Sequence, residues 1–311
     1  MGNKCLSSMR ERVPAIIGTM LFLILTALCI GLRPEHLLMV VVFLALFFAG
    51  KASRKLAVAL LPFFIFGISY DWMRVYPNYM VSPIDIKGLY EAEKSLFGLS
   101  FGDVTLIPCE YFALNHCSTA DFLAGIFYLC WVPVPIAFGL WLYLKGYRSV
   151  YLRFALVFLL VNLIGFAGYY IHPAAPPWYA MNYGFDPVLD TPGNVAGLRR
   201  FDELLGWAVF DSIYGRNANV FAAVPSLHAA YMVVTLVYAI INRCRKWLIA
   251  LFSVIMAGIW WTAVYSGHHY LIDVLLGILC AMLGILFFEK GVMKWEVFRR
   301  FFERYARYIG R

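Results

Sequence analysis

Apolar residues gather into eight stretches, at approximately 13–32, 35–50, 55–70, 122–144, 151–171, 226–242, 247–265 and 269–288. Several supply the roughly 20 residues that an α-helix needs to cross the hydrocarbon of a bilayer. The second and third are short, which fits tilted or partly interfacial helices, and seven spans is the alternative count. The pattern predicts an all-α, polytopic membrane helix bundle of about eight transmembrane helices. Between the stretches, polar residues cluster at the joints. Two clusters stand out: Pro225-Ser226-Leu227-His228 opens the sixth stretch, and His268-His269 opens the eighth, with Asp273 four residues beyond His269. Residues four apart share one face of a helix, and ionisable groups at the edge of hydrocarbon are expensive to keep, so both clusters are functional candidates.

Composition agrees with the pattern. Hydrophobic residues make up 62% of the 311 and charged residues 14%, against the roughly 25% charge of a soluble domain. The mean hydropathy is +0.74. If eight spans alternate with both ends in the cytoplasm, the inner segments hold 19 of the 26 Lys and Arg, as the positive-inside rule requires. The net charge of +8 then reflects orientation, with no call for nucleic acid. One integral-membrane domain over 1–311 is the simplest organisation, with extracytoplasmic loops at 71–121 and 172–225 and a basic amphipathic cytoplasmic tail at 290–311 suited to anionic lipid. The first stretch has a basic lead but no small-residue cleavage pattern after it, so it reads as a retained span. Cys109 and Cys117 share the first outer loop, where an oxidising compartment permits a disulfide. In that loop, Asp85 to Phe97 sets Ile86, Leu89, Tyr90, Leu96 and Phe97 against Lys87, Glu91, Glu93 and Lys94, the stripe of a helix lying on a membrane surface. Consecutive prolines in His-Pro-Ala-Ala-Pro-Pro-Trp-Tyr (172–179) end the fifth span sharply.

Topology brings the two clusters together. The sixth stretch starts at the outer face with Ser226 and His228, and the seventh ascends to the same face to deliver His268 and His269. An aspartate accepting from one ring nitrogen fixes a histidine's tautomer and frees the other nitrogen to attack or to take a proton. A phosphorus centre suits this set: one histidine attacks, another protonates the departing oxygen, and backbone amides with arginines hold the remaining oxygens. Arg74, Arg200 and Arg216 are the outer arginines best placed to supply charge, and Ser226 at a helix start can act as a cap or as part of an anion site. His268 is either a partner standing behind the catalytic pair or an interface residue. His36, His116 and His172 have no partner at motif spacing. The ionisable residues sit at span ends, whereas a transporter usually holds them near mid-span.

These motifs resemble the second and third signatures of the type 2 phosphatidic acid phosphatase superfamily. More narrowly, Pro225-Ser226-Leu227-His228 is similar to the inositol phosphorylceramide synthase branch, as are Tyr70-Asp71-Trp72-Met73-Arg74, Pro173-Ala174-Ala175-Pro176-Pro177-Trp178 and Gly197-Leu198-Arg199-Arg200-Phe201-Asp202. The likeness covers roughly 65–290. The phosphatases' first signature, a Lys followed by Arg-Pro, is absent, because Arg33-Pro34 lacks the upstream lysine. The arginine that opens their third signature is replaced at Thr262-Ala263. The resemblance implies a metal-independent, cofactor-free mechanism with His269 as nucleophile, Asp273 orienting it, and His228 as general acid and base. It also implies membrane lipids as partners: a phosphoinositol head group would move from phosphatidylinositol to ceramide on the extracytoplasmic face, of a bacterial inner membrane or on the Golgi lumen side. A lipid phosphate phosphatase using water is the alternative within the superfamily.

Overall fold

A computed structural model describes residues 2–215 and 219–310. All eight apolar stretches are helical. They correspond to α1 (Gly2–Cys29), α2 (Pro34–Ala49), the pair α3 (Lys51–Ala59) and α4 (Leu61–Trp72), and, past the first long connection (71–121), the further helices named below. The first long connection carries α5 (Lys87–Phe97), a hairpin of β1 (Leu99–Phe101) and β2 (Val104–Leu106), and α6 (Pro108–Leu114). Then come α7 (Ser118–Tyr128) with α8 (Pro133–Leu144), and α9 (Arg148–Ile171). The second long connection (172–225) holds α10 (Pro177–Tyr183), α11 (Arg199–Leu205) and α12 (Val209–Tyr214). The chain closes with α13 (Leu227–Ile241), α14 (Lys246–Tyr265), α15 (Leu271–Lys290) and α16 (Glu296–Gly310).

Among the described residues, five helical segments are long and apolar enough to cross a membrane, and a sixth counts if α3 and α4, bent by 45°, form one span. The two remaining apolar helices, α2 and α13, are 16 and 15 residues long. The second span is therefore short as expected, the third is long enough only as a bent pair, and the sixth is shorter than its apolar run because Ser226 caps it.

The core is a layer of α9, α13, α14 and α15, with α4 and α8 on α9 and α7 on α14. Close approach of α15 to the start of α13 requires Gly277: a Cβ there would lie 2.1 Å from the Ser226 carbonyl oxygen. Buried polar groups are satisfied across helices, as where Tyr231 Oη donates to Asn162 Oδ1 at 2.5 Å and Tyr151 Oη to the Ala59 carbonyl at 2.6 Å. Such pairing removes the cost of unpaired polar atoms in hydrocarbon.

The two long connections are stitched into one cap. Asp85 N donates to Pro173 O at 2.8 Å, Ala175 N to Asp85 O at 3.0 Å, and Ala174 N to Phe221 O at 3.1 Å. Asn78 Nδ2 donates to both Tyr169 O and Phe221 O at 2.8 Å.

Several expectations change. Helix α5 buries Glu93 and exposes Leu96, because its inner face meets the polar start of α15 and not lipid alone. Cys109 and Cys117 are separate thiols, one buried and one exposed. Helix α16 does not rest on lipid alone: Phe302 and Ile309 are buried against the bundle, Tyr305 Oη donates to Val58 O at 2.6 Å, and Arg299, Arg300, Arg304 and Arg307 stay exposed. The three unassigned histidines each meet a carboxylate, distant in sequence for His36 and His172 and five residues on for His116. His36 Nε2 lies 2.7 Å from Asp71, His116 Nδ1 3.5 Å from Asp121 and His172 Nε2 3.2 Å from Asp85.

Candidate active site

His269 sits in the turn joining α14 to α15. The turn reverses at Gly267, whose φ of +75° favours glycine. His268 N and His269 N both donate to Ala263 O, at 3.1 and 3.0 Å, closing α14 beneath them. The two long connections grip the turn's carbonyls: Gly197 N donates to Ser266 O at 2.8 Å and Trp178 N to Gly267 O at 3.0 Å, while Cys109 Sγ–H lies 3.4 Å from His269 O.

The start of α15 is capped twice. Asp273 Oδ2 accepts from Tyr270 N at 2.9 Å. The Glu93 carboxylate, arriving from α5, accepts from Leu271 N at 2.8 Å and Ile272 N at 3.1 Å. These bonds satisfy amides that a helix start otherwise leaves unpaired. Burial pushes the Glu93 carboxyl above its usual range, and the two amide bonds oppose that rise. Glu93 was not legible as a site residue, because on the helical stripe it reads as a solvated charge.

The expected pair is assembled. His269 Nδ1 faces Asp273 Oδ2 at 3.4 Å, an electrostatic contact that is long for a hydrogen bond. His269 Nε2 lies 3.0 Å from His228 Nδ1. His228 comes from the first turn of α13, whose Ser226 Oγ accepts from Ala229 N at 3.4 Å while Ser226 N donates to Asp273 O at 3.0 Å. The His228 ring stacks on Tyr128 at 5.1 Å and meets the edge of Trp131 at 4.3 Å. With His269 Nδ1 protonated toward Asp273, its Nε2 carries a lone pair toward His228 Nδ1–H.

Histidines 228, 268 and 269 line a cavity of about 220 Å³ whose other walls are mostly aromatic, among them Phe66, Trp131, Phe166 and Tyr231. His268 Nδ1 is 2.9 Å from Ser266 Oγ. Its Nε2 is buried near the Asn194 backbone with no well-aligned hydrogen bond. Burial, with His269 adjacent, lowers His268 to about 3, so its ring is neutral.

The candidate phosphate ligands are not brought to the histidines in this way. Ser226 is fully buried and serves as a helix cap. Arg74 Nε lies 3.2 Å from Asp71 Oδ1, in a cluster that also includes Arg33 and His36. Arg200 Nε lies 2.5 Å from Asp121 Oδ1 and borders a separate cavity. No Lys or Arg lines the histidine cavity among the described residues. Arg216 lies outside the described residues. Carboxylates claim both arginines: Arg74 pairs with Asp71 three residues before it, and Arg200 with the buried Asp121, 79 residues away, a pairing that spacing cannot reveal.

A model of the PAP2 superfamily matches residues 106–287, more than half of the chain. The chain belongs to the PAP2 superfamily. It is 72% identical over 302 residues to the phosphoinositol dihydroceramide synthase of Bacteroides thetaiotaomicron, covering 97% of this chain and 99% of that one. It is 28% identical over 237 residues to the inositol phosphorylceramide synthase catalytic subunit of Saccharomyces cerevisiae, covering 76% of this chain and 57% of that one. With the inositol phosphorylceramide synthase of Candida albicans it shares 27% over 238 residues, 73% of this chain and 47% of that one. The chain thus spans about half the length of these two fungal relatives. No solved structure matches it. Membership accounts for the helical membrane fold, and the matched segment contains both histidine motifs.

Proposed function

We propose that the protein is a membrane lipid phosphotransferase that moves phosphoinositol from phosphatidylinositol to ceramide or its dihydro form and releases diacylglycerol. The observation that carries the chemistry is the His228–His269–Asp273 array, opening onto an aromatic cavity suited to lipid. The choice of substrates leans on the name of the 72% identical relative.

In the first half-reaction His269 Nε2 attacks phosphorus, and the bond to the diacylglycerol oxygen breaks. His228, entering this step as its imidazolium, delivers a proton to that oxygen and becomes neutral, leaving phosphoinositol on His269. In the second half His228 takes the proton of the ceramide hydroxyl, whose oxygen attacks phosphorus and breaks the N–P bond. Asp273 holds the Nδ1 proton and opposes the charge that develops on the ring. In-line displacement puts nucleophile and leaving oxygen on opposite sides of phosphorus, so the 3.0 Å contact between the histidines opens when lipid enters.

A phosphodiester brings one negative charge where a phosphomonoester brings nearly two. A cavity with no Lys or Arg among its described walls suits the diester, which favours transfer from phosphatidylinositol over hydrolysis of a lipid monophosphate. The charge asymmetry of the joints supports a site on the extracytoplasmic face.

Purified protein given labelled phosphatidylinositol, with and without ceramide, tests the reading. Transfer of label to ceramide is expected. Release of label only as a water-soluble phosphate, unaffected by ceramide, would make the protein a hydrolase.

A further inference from the structure

Beside the His268–His269 turn lies a second cavity, of about 310 Å³, at the lower end of the roughly 300–1,000 Å³ common for small-molecule sites. It adjoins the histidine cavity, since Trp178 and Asn194 line both. Its chemistry is opposite. Where the first cavity is aromatic, this one presents Asn182, Asn194, Arg199, Arg200 and Ser266, with the phenol ring of Tyr265.

The state of Arg200 decides what ligand fits. Its Nε lies 2.5 Å from Asp121 Oδ1, and that carboxylate, nearly fully buried, also accepts from Tyr265 Oη at 2.8 Å. The guanidinium lies over the Tyr265 ring, 5.1 Å from its centroid. The positive charge is thereby balanced, yet Nη2 remains buried without a hydrogen-bond partner. A neutralised guanidinium with a spare N–H is a poor trap for an anion and a good donor to a neutral oxygen. Gly197 makes room for it: a Cβ there would come within 3.0 Å of Arg200 Nη2 and 2.9 Å of Ser266 Cα.

We propose that this cavity is the subsite for a neutral cyclic polyol, the inositol ring of the donor lipid, with Arg200 as a hydroxyl-directed donor and not a phosphate clamp. The inference rests on the transferase reading above. The apolar cavity then takes the lipid side of the phosphodiester and the polar cavity takes the ring, with the histidine turn between them. Asn182 and Asn194 offer both donors and acceptors, as alternating hydroxyl groups require.

Two variants test it on the purified enzyme: Arg200→Lys, which keeps the charge beside Asp121 but removes the planar fork, and Asn182→Ala at an exposed position that a folding defect would spare. KM for phosphatidylinositol and the preference for phosphatidylinositol over phosphatidylglycerol are measured, together with inhibition by free myo-inositol. Each variant is expected to raise KM for phosphatidylinositol roughly tenfold, the size of a lost hydrogen bond to a charged or well-placed partner. Each should also reduce the lipid preference and weaken inhibition by myo-inositol. If wild-type enzyme transfers from phosphatidylinositol but Asn182→Ala leaves KM, preference and inhibition unchanged, the subsite is wrong and the transferase reading stands. Wild-type enzyme that does not transfer from phosphatidylinositol at all overturns the transferase reading, and the subsite with it.

Discussion

Replacing Asp273 by Asn isolates the charge behind the nucleophile. Asp273 is fully buried, and its Oδ2 serves two partners, Tyr270 N at 2.9 Å and His269 Nδ1 at 3.4 Å. An asparagine with its carbonyl oxygen in the Oδ2 position keeps both contacts, and its amide takes the place of Oδ1, which has no partner. The opposite orientation would set NH2 against two donors, so the first is preferred. Shape and cap survive and the charge is removed. Unit charges 3.4 Å apart interact by about 5 kcal/mol at an effective dielectric constant near 20, equivalent to between three and four decades of rate. The ring carries only part of a charge at the transition state, so kcat should fall roughly 10²- to 10³-fold while KM for phosphatidylinositol stays within about threefold. Steady-state transfer to ceramide in detergent micelles, with thermal unfolding as a control, measures both. A kcat within tenfold of wild type, in protein that unfolds at the wild-type temperature, would show that Asp273 does not stabilise a charged imidazole.

The remaining predictions address the proton donor, the scaffold and the topology. His228→Ala should fail on phosphatidylinositol, whose leaving alkoxide needs a proton, and recover most of its loss on a p-nitrophenyl phosphodiester, whose leaving group is a stable anion; equal impairment on both would deny the general-acid role. Glu93→Ala leaves two buried amides of α15 without acceptors, at a cost on the order of 2–4 kcal/mol, and should lower both the unfolding temperature and kcat, whereas an unchanged unfolding temperature would refute the cap. An impermeant maleimide applied to intact cells should label the exposed Cys117 in the outer loop and lose that label in Cys117→Ser; labelling that needs access from the cytoplasmic side would invert the topology.

The chemistry was more legible in the chain than its supports were. His269 and Asp273 announce each other because a helix brings i and i+4 together, and the direction of α13 and α14 was enough to bring His228 to the same level. The partners of the arginines were less legible. Arg200 and Asp121 are 79 residues apart, and nothing local marks them as partners, so an outer arginine near a histidine motif reads as a phosphate ligand. Glu93 was hidden for a related reason: its helix is amphipathic, but its polar face meets another helix's unpaired amides and not water. His36 and His172 looked solitary because their carboxylates come from other segments, and His116 because Asp121 lies five residues on, off the i+3 or i+4 spacing of a helical pair. The apolar pattern located the eight segments, but it could not show that α3 and α4 bend or that α16 docks two apolar residues on the bundle.

The central claim is a phosphoinositol group carried on His269, and trapping it is the most direct test. Purified enzyme is mixed with phosphatidylinositol labelled in the inositol ring, without ceramide, and quenched within a turnover. The account predicts protein-bound label that is stable to base and labile to acid, is absent in His269→Ala, and passes to ceramide when the acceptor is added. Labelled product formed at an undiminished rate by His269→Ala, with no protein-bound label at any time, would contradict it.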